Sequence, residues 1–293
     1  MGTSKIPYAG ANGVSWPIVT GCSGTGCTAR CWARAIAHRF GRPFAPTFHA
    51  DKLEAPLHWR KPRRVLVAFT GDLFDAEVSA VEIAAAFGIM AACERHTFLV
   101  LTKQAARMEE WFAWLSVREE DGRRVFPDDD TGWLMRQLFQ HQCGMLGVQM
   151  PGHHGGPWPL ANVWLGVSVS TQADADARIP QLLRCPAAVR WVSYEPALGE
   201  VDFFNWLRGE HIHCDGCTPD GALCTGHDIG PRLDWIAASG ESGPRARPCD
   251  LDWIRRVRDD CAAFGAAFAF KSQTAYPLLD GRRHDEMPIV RAS

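Results

Sequence analysis

The residues VWLGVSV at 163–169, QADADARIPQLL at 172–183 and VRWVS at 189–193 carry the fold class. The first and third are short, mainly apolar runs rich in Val and Trp with Ser at or next to the end. Such runs read as strands buried on both faces. Between them, apolar side chains recur at three-and-four spacing behind acidic residues, the pattern of an amphipathic helix. Strand, helix, strand within about thirty residues is one βαβ unit, and such a unit makes parallel strands.

The same rhythm recurs on either side. Strands are expected at Val14 to Val19, Arg64 to Phe69, Thr97 to Leu101, Trp235 to Ala238 and Ala267 to Phe270. Further helices are expected at Ala33 to Phe40, Val78 to Cys93, Gln104 to Val117 and Leu251 to Phe264. About six to seven such units, with no glycine-rich dinucleotide fingerprint, predict an α/β partial (β/α) barrel rather than a doubly wound nucleotide fold. Its chemistry is then expected where the strands end.

With 293 residues, 46% hydrophobic and 22% charged, the chain suits one globular domain over 1–293. Two stretches interrupt the alternation and read as rim insertions: 121–160, with three consecutive Asp and paired His, and 208–232, rich in Cys and His. No apolar run reaches membrane-spanning length, and MGTSKIPYAG lacks the layout of a secretory signal, so a cytoplasmic protein is expected. The 11 cysteines are odd in number and partly clustered, which favours metal ligation over a disulfide scaffold. A net charge of −2 gives no general attraction to nucleic acid, although Arg30, Arg34, Arg39 and Arg42 form a local basic run. That run is able to hold an anion, or it is a solvated helix face.

Cys22, Cys27 and Cys31 lie on one glycine-rich turn, TGCSGTGCTARCWA at 20–33, between the first strand and the first helix. Glycines let such a turn bend so that three thiolates and backbone N–H groups converge on one iron–sulfur cluster. Three ligands to a cuboidal 4Fe–4S cluster leave one iron open. Two alternatives stay open on spacing alone: buried small hydrophobes, or zinc with a distant fourth ligand.

A second cluster, Cys214, Cys217, Cys224 and His227, has the spacing C-x2-C-x6-C-x2-H inside the 208–232 insertion. It suits tetrahedral structural Zn2+, with an auxiliary iron–sulfur cluster or an unliganded loop as alternatives. Lys103, Ser168, Glu195, Glu241 and Lys271 stand at the ends of expected strands three to seven and so are candidates to face the barrel mouth toward cofactor or substrate. Singly, each could equally be a rim salt bridge.

The chain resembles a phage- and prophage-associated family of uncharacterised three-cysteine-motif proteins that is radical S-adenosylmethionine-like. The resemblance runs from about Trp16 to Gln273. It is carried by CWA at 31–33, GDLFD at 71–75, LTK at 101–103, NVWLGVS at 162–168, YEP at 194–196, LG at 198–199, GESGP at 240–244, RP at 247–248 and FK at 270–271. The cysteines here are spaced C-x4-C-x3-C, against the C-x3-C-x2-C usual in radical S-adenosylmethionine enzymes.

The resemblance implies a cluster on Cys22, Cys27 and Cys31 that cleaves S-adenosylmethionine, with Gly71 and Asp72 standing where such enzymes have a Gly-Gly-Glu-like turn for the methionine amino group. Asp72 and Asp75 both precede the expected helix Val78 to Cys93; Asp75 is expected to cap it, leaving Asp72 free for that role. Lys103, Ser168, Glu195 and Glu241 are expected to contact cofactor, and Glu195, Glu241 and Lys271 to serve catalysis. A reductant protein such as a flavodoxin or ferredoxin is the expected partner, and a small molecule, nucleotide or modified nucleic-acid base the expected substrate. The contrasting expectation is a non-catalytic zinc protein that binds nucleic acid or a partner protein.

Overall fold

The computed structural model describes residues 6, 9–10, 12–24, 31–113, 118–120, 123–125, 159–209, 230–241, 246–271 and 278–289. Seven strands form its principal sheet: β1 (Gly13–Trp16), β2 (Arg64–Val67), β3 (Thr97–Thr102), β4 (Val163–Val169), β5 (Val189–Tyr194), β6 (Trp235–Ala238) and β7 (Ala267–Phe270). Every neighbouring pair is parallel, and spatial order equals chain order from β1 to β7. Because right-handed crossovers never reverse direction in such an order, the helices fall on one face and the sheet curls toward the other as a half-barrel.

The helices are α1 (Trp32–Arg39), α2 (Ala80–Ala92), α3 (Ala105–Ala113), α4 (Gln172–Arg184), α5 (Phe204–Arg208) and α6 (Leu251–Phe264). Their starts follow local chemistry. Ser79 and Glu82 form a reciprocal capping box on α2, Thr171 caps α4, and Asp250 caps α6, which ends on left-handed Gly265. The α2 cap is therefore Ser79 and not the expected Asp75, which is engaged elsewhere.

Alternation within the strands divides the interior in two. One large core joins Trp16, Val67, Phe98, Val100, Val167, Val192, Tyr194, Ile236 and Phe268 to the apolar faces of α2, α3, α4 and α6. The opposite face carries Leu66, Leu99, Trp164, Trp191, Trp235, Ala237 and Ala269. Three indoles thus fill the inner side of the half-barrel, where each buried ring contributes on the order of 2–3 kcal/mol by leaving water. Gly166 makes room for them: a Cβ there would stand 2.4 Å from the Trp191 ring.

The first expected strand divides at Pro17, which cannot donate to a ladder. Gly13–Trp16 stays in the main sheet, whereas Val19–Thr20 pairs antiparallel with Thr47–Phe48. At the other edge, residues 284–286 run antiparallel along β7 through the Ala269–Asp285 bridge and the Phe270 N–H to His284 carbonyl bond, so that edge is covered. No helix among the described residues is long and apolar enough to cross a membrane. Of the two expected rim insertions, residues 121–122, 126–158 and 210–229 lie outside the described residues, as do Cys214, Cys217, Cys224 and His227.

Candidate active site

Three contacts seat the cysteine turn at the C-terminal end of the sheet. Gly21, at φ +73°, forms an isolated parallel bridge with Gly71, and its N–H donates to the Thr70 carbonyl at 2.9 Å. Two residues on, the Ser23 N–H and hydroxyl both donate to Asp75 Oδ2, at 2.7 and 3.0 Å. At the far end Cys31 caps α1, its Sγ accepting the Arg34 N–H at 3.4 Å. Cys22 and Cys31 are half-buried, while Cys27 belongs to residues 25–30, outside the described set. Among the described residues no group of three or more His, Cys, Asp or Glu stands ready to hold a metal.

Gly71 has a steric role in this seat. A Cβ on it would lie 2.7 Å from the Gly21 carbonyl oxygen and 2.8 Å from that of Val19. Neighbouring Asp72 is buried and multiply hydrogen-bonded. Its Oδ1 accepts the Thr102 hydroxyl at 2.7 Å and the Phe74 N–H at 3.0 Å, and its Oδ2 accepts the Lys103 N–H at 3.0 Å. Burial raises the Asp72 pKa, and the three hydrogen bonds pull it back. The carboxylate therefore clasps the loop after β2 to the end of β3, and the expectation that Asp72 stands free is corrected. Asp75 ties that same loop to the cysteine turn.

Strand alternation puts Lys103, Ser168, Ser193, Glu195, Ser239, Glu241 and Lys271 on the same side as the tryptophans, at or just past the strand ends. Glu195 and Lys271 meet across β6: Lys271 Nζ donates to Glu195 Oε2 at 3.1 Å, with side-chain exposures of 32% for the lysine and 13% for the glutamate. The charge of Glu195 raises the Lys271 pKa against the opposing effect of burial. Glu195 Oε1 is buried with no hydrogen-bond partner among the described residues. A buried carboxylate oxygen without a donor costs free energy unless a ligand or water supplies one.

Glu241 is arranged differently. Arg247 grips it through Nε and Nη2, each at 2.9 Å, and adds its backbone N–H at 2.9 Å, so this carboxylate closes the loop after β6. Ser168 is buried, and its carbonyl accepts Arg178 Nη1 at 2.5 Å while Arg178 pairs with Asp174. The expected ring of strand-end groups thus divides into positioning groups (Gly71, Asp72, Glu241) and one inward-facing pair with a spare acceptor (Glu195, Lys271). Sequence reasoning passed over the Ser23–Asp75 tie and the inner serines Ser193 and Ser239. Strand parity alone would have found the serines; the Ser23–Asp75 tie joins loops 52 residues apart and leaves no local signal.

A family model described as "Protein of unknown function (DUF5131)" matches residues 3–288, and the chain belongs to that family. No curated protein and no solved structure matches it.

Proposed function

We propose that this family member is a cytoplasmic radical S-adenosylmethionine enzyme, with Cys22, Cys27 and Cys31 as the ligands of its cluster. One observation carries the proposal: the cysteine turn, which follows β1, is seated at the same C-terminal end of the sequentially ordered parallel half-barrel at which Glu195 presents a buried Oε1 with no donor among the described residues, beside Lys271. The donor set suits the cluster, because thiols are its ligands and Cys31 sulfur already accepts a backbone N–H at a helix N-terminus. A 4Fe–4S cluster with three protein ligands supplies, when bound, one electron for reductive cleavage of S-adenosylmethionine to methionine and a 5′-deoxyadenosyl radical.

The chain's own residues then divide the work. Gly71, Asp72 and Asp75 fix the cysteine turn against the ends of β2 and β3. Glu195 Oε1 accepts an N–H or O–H of the bound ligand, and Lys271, with one N–H on Glu195, directs its others at an acceptor or anionic group. The tryptophan floor excludes water beneath that pair. Lys103 and Ser168 line the same mouth. A nucleotide or nucleic-acid base is the substrate class that fits the phage-associated resemblance, and Cys214, Cys217, Cys224 and His227 are the proposed structural zinc ligands.

The test is anaerobic reconstitution with iron and sulfide, elemental analysis and an electronic spectrum, then dithionite and S-adenosylmethionine with chromatographic assay for 5′-deoxyadenosine. Cluster absorbance and 5′-deoxyadenosine are expected in the wild type and absent in Cys27→Ala and Cys31→Ala. Cys217→Ala should cost zinc and folding yield while sparing the cluster. Zinc at both cysteine groups with no cleavage would replace this reading by the non-catalytic one.

A further inference from the structure

The first fifty residues hold five Lys and Arg and no Asp or Glu, so the remaining residues hold 26 Lys and Arg against 33 Asp and Glu. The near-neutral whole therefore conceals a basic N-terminal stretch of sequence. Within that stretch lies α1, directly after Cys31. Its Trp32, Ile36 and Phe40 recur at four-residue spacing and are 55%, 45% and 64% exposed, forming one apolar row about 12 Å long. Arg39 on the helix and Arg42 just past it lie beside the row, Arg34 and His38 fall on the other side of the helix, and all four are exposed. The Arg42 guanidinium lies 5.7 Å from the Phe40 ring centroid, so a cation borders the end of the row. Three large apolar side chains in a row on a short helix cost solvation unless something covers them.

We infer that this face of α1 is the docking surface for an acidic one-electron carrier protein. The inference rests on the radical reading, since a cluster held by Cys31 would lie at the very start of this helix and needs an electron from outside. Charge complementarity sets the partner's sign: a helix with no acidic residue of its own, whose apolar row is edged by Arg39 and Arg42, attracts an acidic surface and speeds its encounter. The row sets the partner's kind. Aliphatic Ile36 between two aromatics, rimmed by arginine, matches the apolar centre and charged rim of a protein interface, whereas a single-stranded nucleic acid needs ring faces and Ile36 has none.

Two measurements test this with the full-length, reconstituted protein and an acidic flavodoxin as the probe. The first is flavodoxin binding by titration at low and high salt. The second is 5′-deoxyadenosine formation driven by reduced flavodoxin, compared with dithionite. The variants are Arg39→Glu/Arg42→Glu and Ile36→Glu, all on the solvent side of α1 and away from the sheet. Expected are a roughly tenfold or greater rise in Kd for each variant, a weaker wild-type complex at high salt, and a matching loss of the flavodoxin-driven rate with the dithionite-driven rate unchanged. Wild-type strength of binding in both variants, or no flavodoxin binding by the wild type, overturns the assignment. So does a labelled single-stranded oligonucleotide that binds through Arg39 and Arg42 while flavodoxin does not. If dithionite drives no cleavage in the wild type, the radical reading has failed, and the binding arm still decides the docking surface by itself.

Discussion

Replacing Gly71 by Ala adds one methyl group at the seat of the cysteine turn. Gly71 does not adopt the left-handed backbone region, so with open space around it the change would stabilise the protein by about 0.4–1 kcal/mol through the unfolded chain. The surroundings reverse that sign. The new Cβ would stand 2.7 Å from Gly21 O, 2.8 Å from Val19 O and 3.0 Å from Val19 C, where ordinary contact begins at 3.4 Å. All three atoms are main chain, in a segment itself paired to Thr47–Phe48, so no side chain can swing away. Relief requires the Val19–Gly21 segment to lift by about 0.5 Å, at an overpacking cost of about 1–3 kcal/mol. The Gly21 N–H bond to Thr70 O weakens as well, for roughly another 1 kcal/mol. At an unfolding entropy of about 2.1 cal/mol/K per residue, this lowers Tm by about 3–6 °C. Differential scanning calorimetry reads the stability, and mass-spectrometric timing of iodoacetamide labelling reads Cys22, which should react several-fold faster once its turn is unseated. A Gly71→Ala variant with wild-type or higher Tm and unchanged Cys22 labelling would refute the argument that close backbone approach dictates glycine here.

Other outcomes follow from the same contacts. Asp75→Ala removes the carboxylate oxygen that accepts both the Ser23 N–H and its hydroxyl, so Cys22 labelling should accelerate while α2, capped independently by Ser79, keeps its helicity by circular dichroism. Lys271→Met leaves the Glu195 carboxylate without its cation and should cost about 1–2 kcal/mol at neutral pH in urea titrations, discounted for partial exposure. Because Glu195 raises the Lys271 pKa, that contribution is complete below the unfolded value of about 10.4 and disappears as pH rises through the higher folded value. The gap between wild type and Lys271→Met should therefore close in alkali; a gap that widens there would contradict the pairing. Gly166→Ala pushes a methyl into the Trp191 ring and should lower stability by about 1–3 kcal/mol with a shifted tryptophan emission, and silence in both signals would count against the indole-filled inner face. Hydrogen bonds from Arg255 and Arg258 hold the exposed Asp280 carboxyl at about 2, so its contribution is present above the unfolded value of about 3.9 and lost as pH falls toward 2. Asp280→Asn should flatten the acid limb of the stability profile over that window.

Amino-acid order alone was enough for the parallel half-barrel. A run such as VWLGVSV can satisfy its backbone and bury both faces only inside a sheet, and the helical spacing of 172–183 between two such runs makes the strands parallel. Boundaries were legible where one side of the pattern ended in a charge or a glycine, as at Leu251–Phe264, and less so where Pro17 divided an apolar run into strands of two different sheets. The candidate site was legible as a place, because residues that follow parallel strands gather at one end. Their division of labour was not. Whether Asp72 is free or clasped depends on Thr102 and Lys103, thirty and thirty-one residues away, and the Glu195–Lys271 pair spans 76 residues and a whole intervening strand. Hydrogen bonds of a few ångströms between such distant groups leave no local periodicity. Only the tertiary structure brings one glutamate oxygen to the inner rim without a donor among the described residues and leaves the row of Trp32, Ile36 and Phe40 exposed just after Cys31.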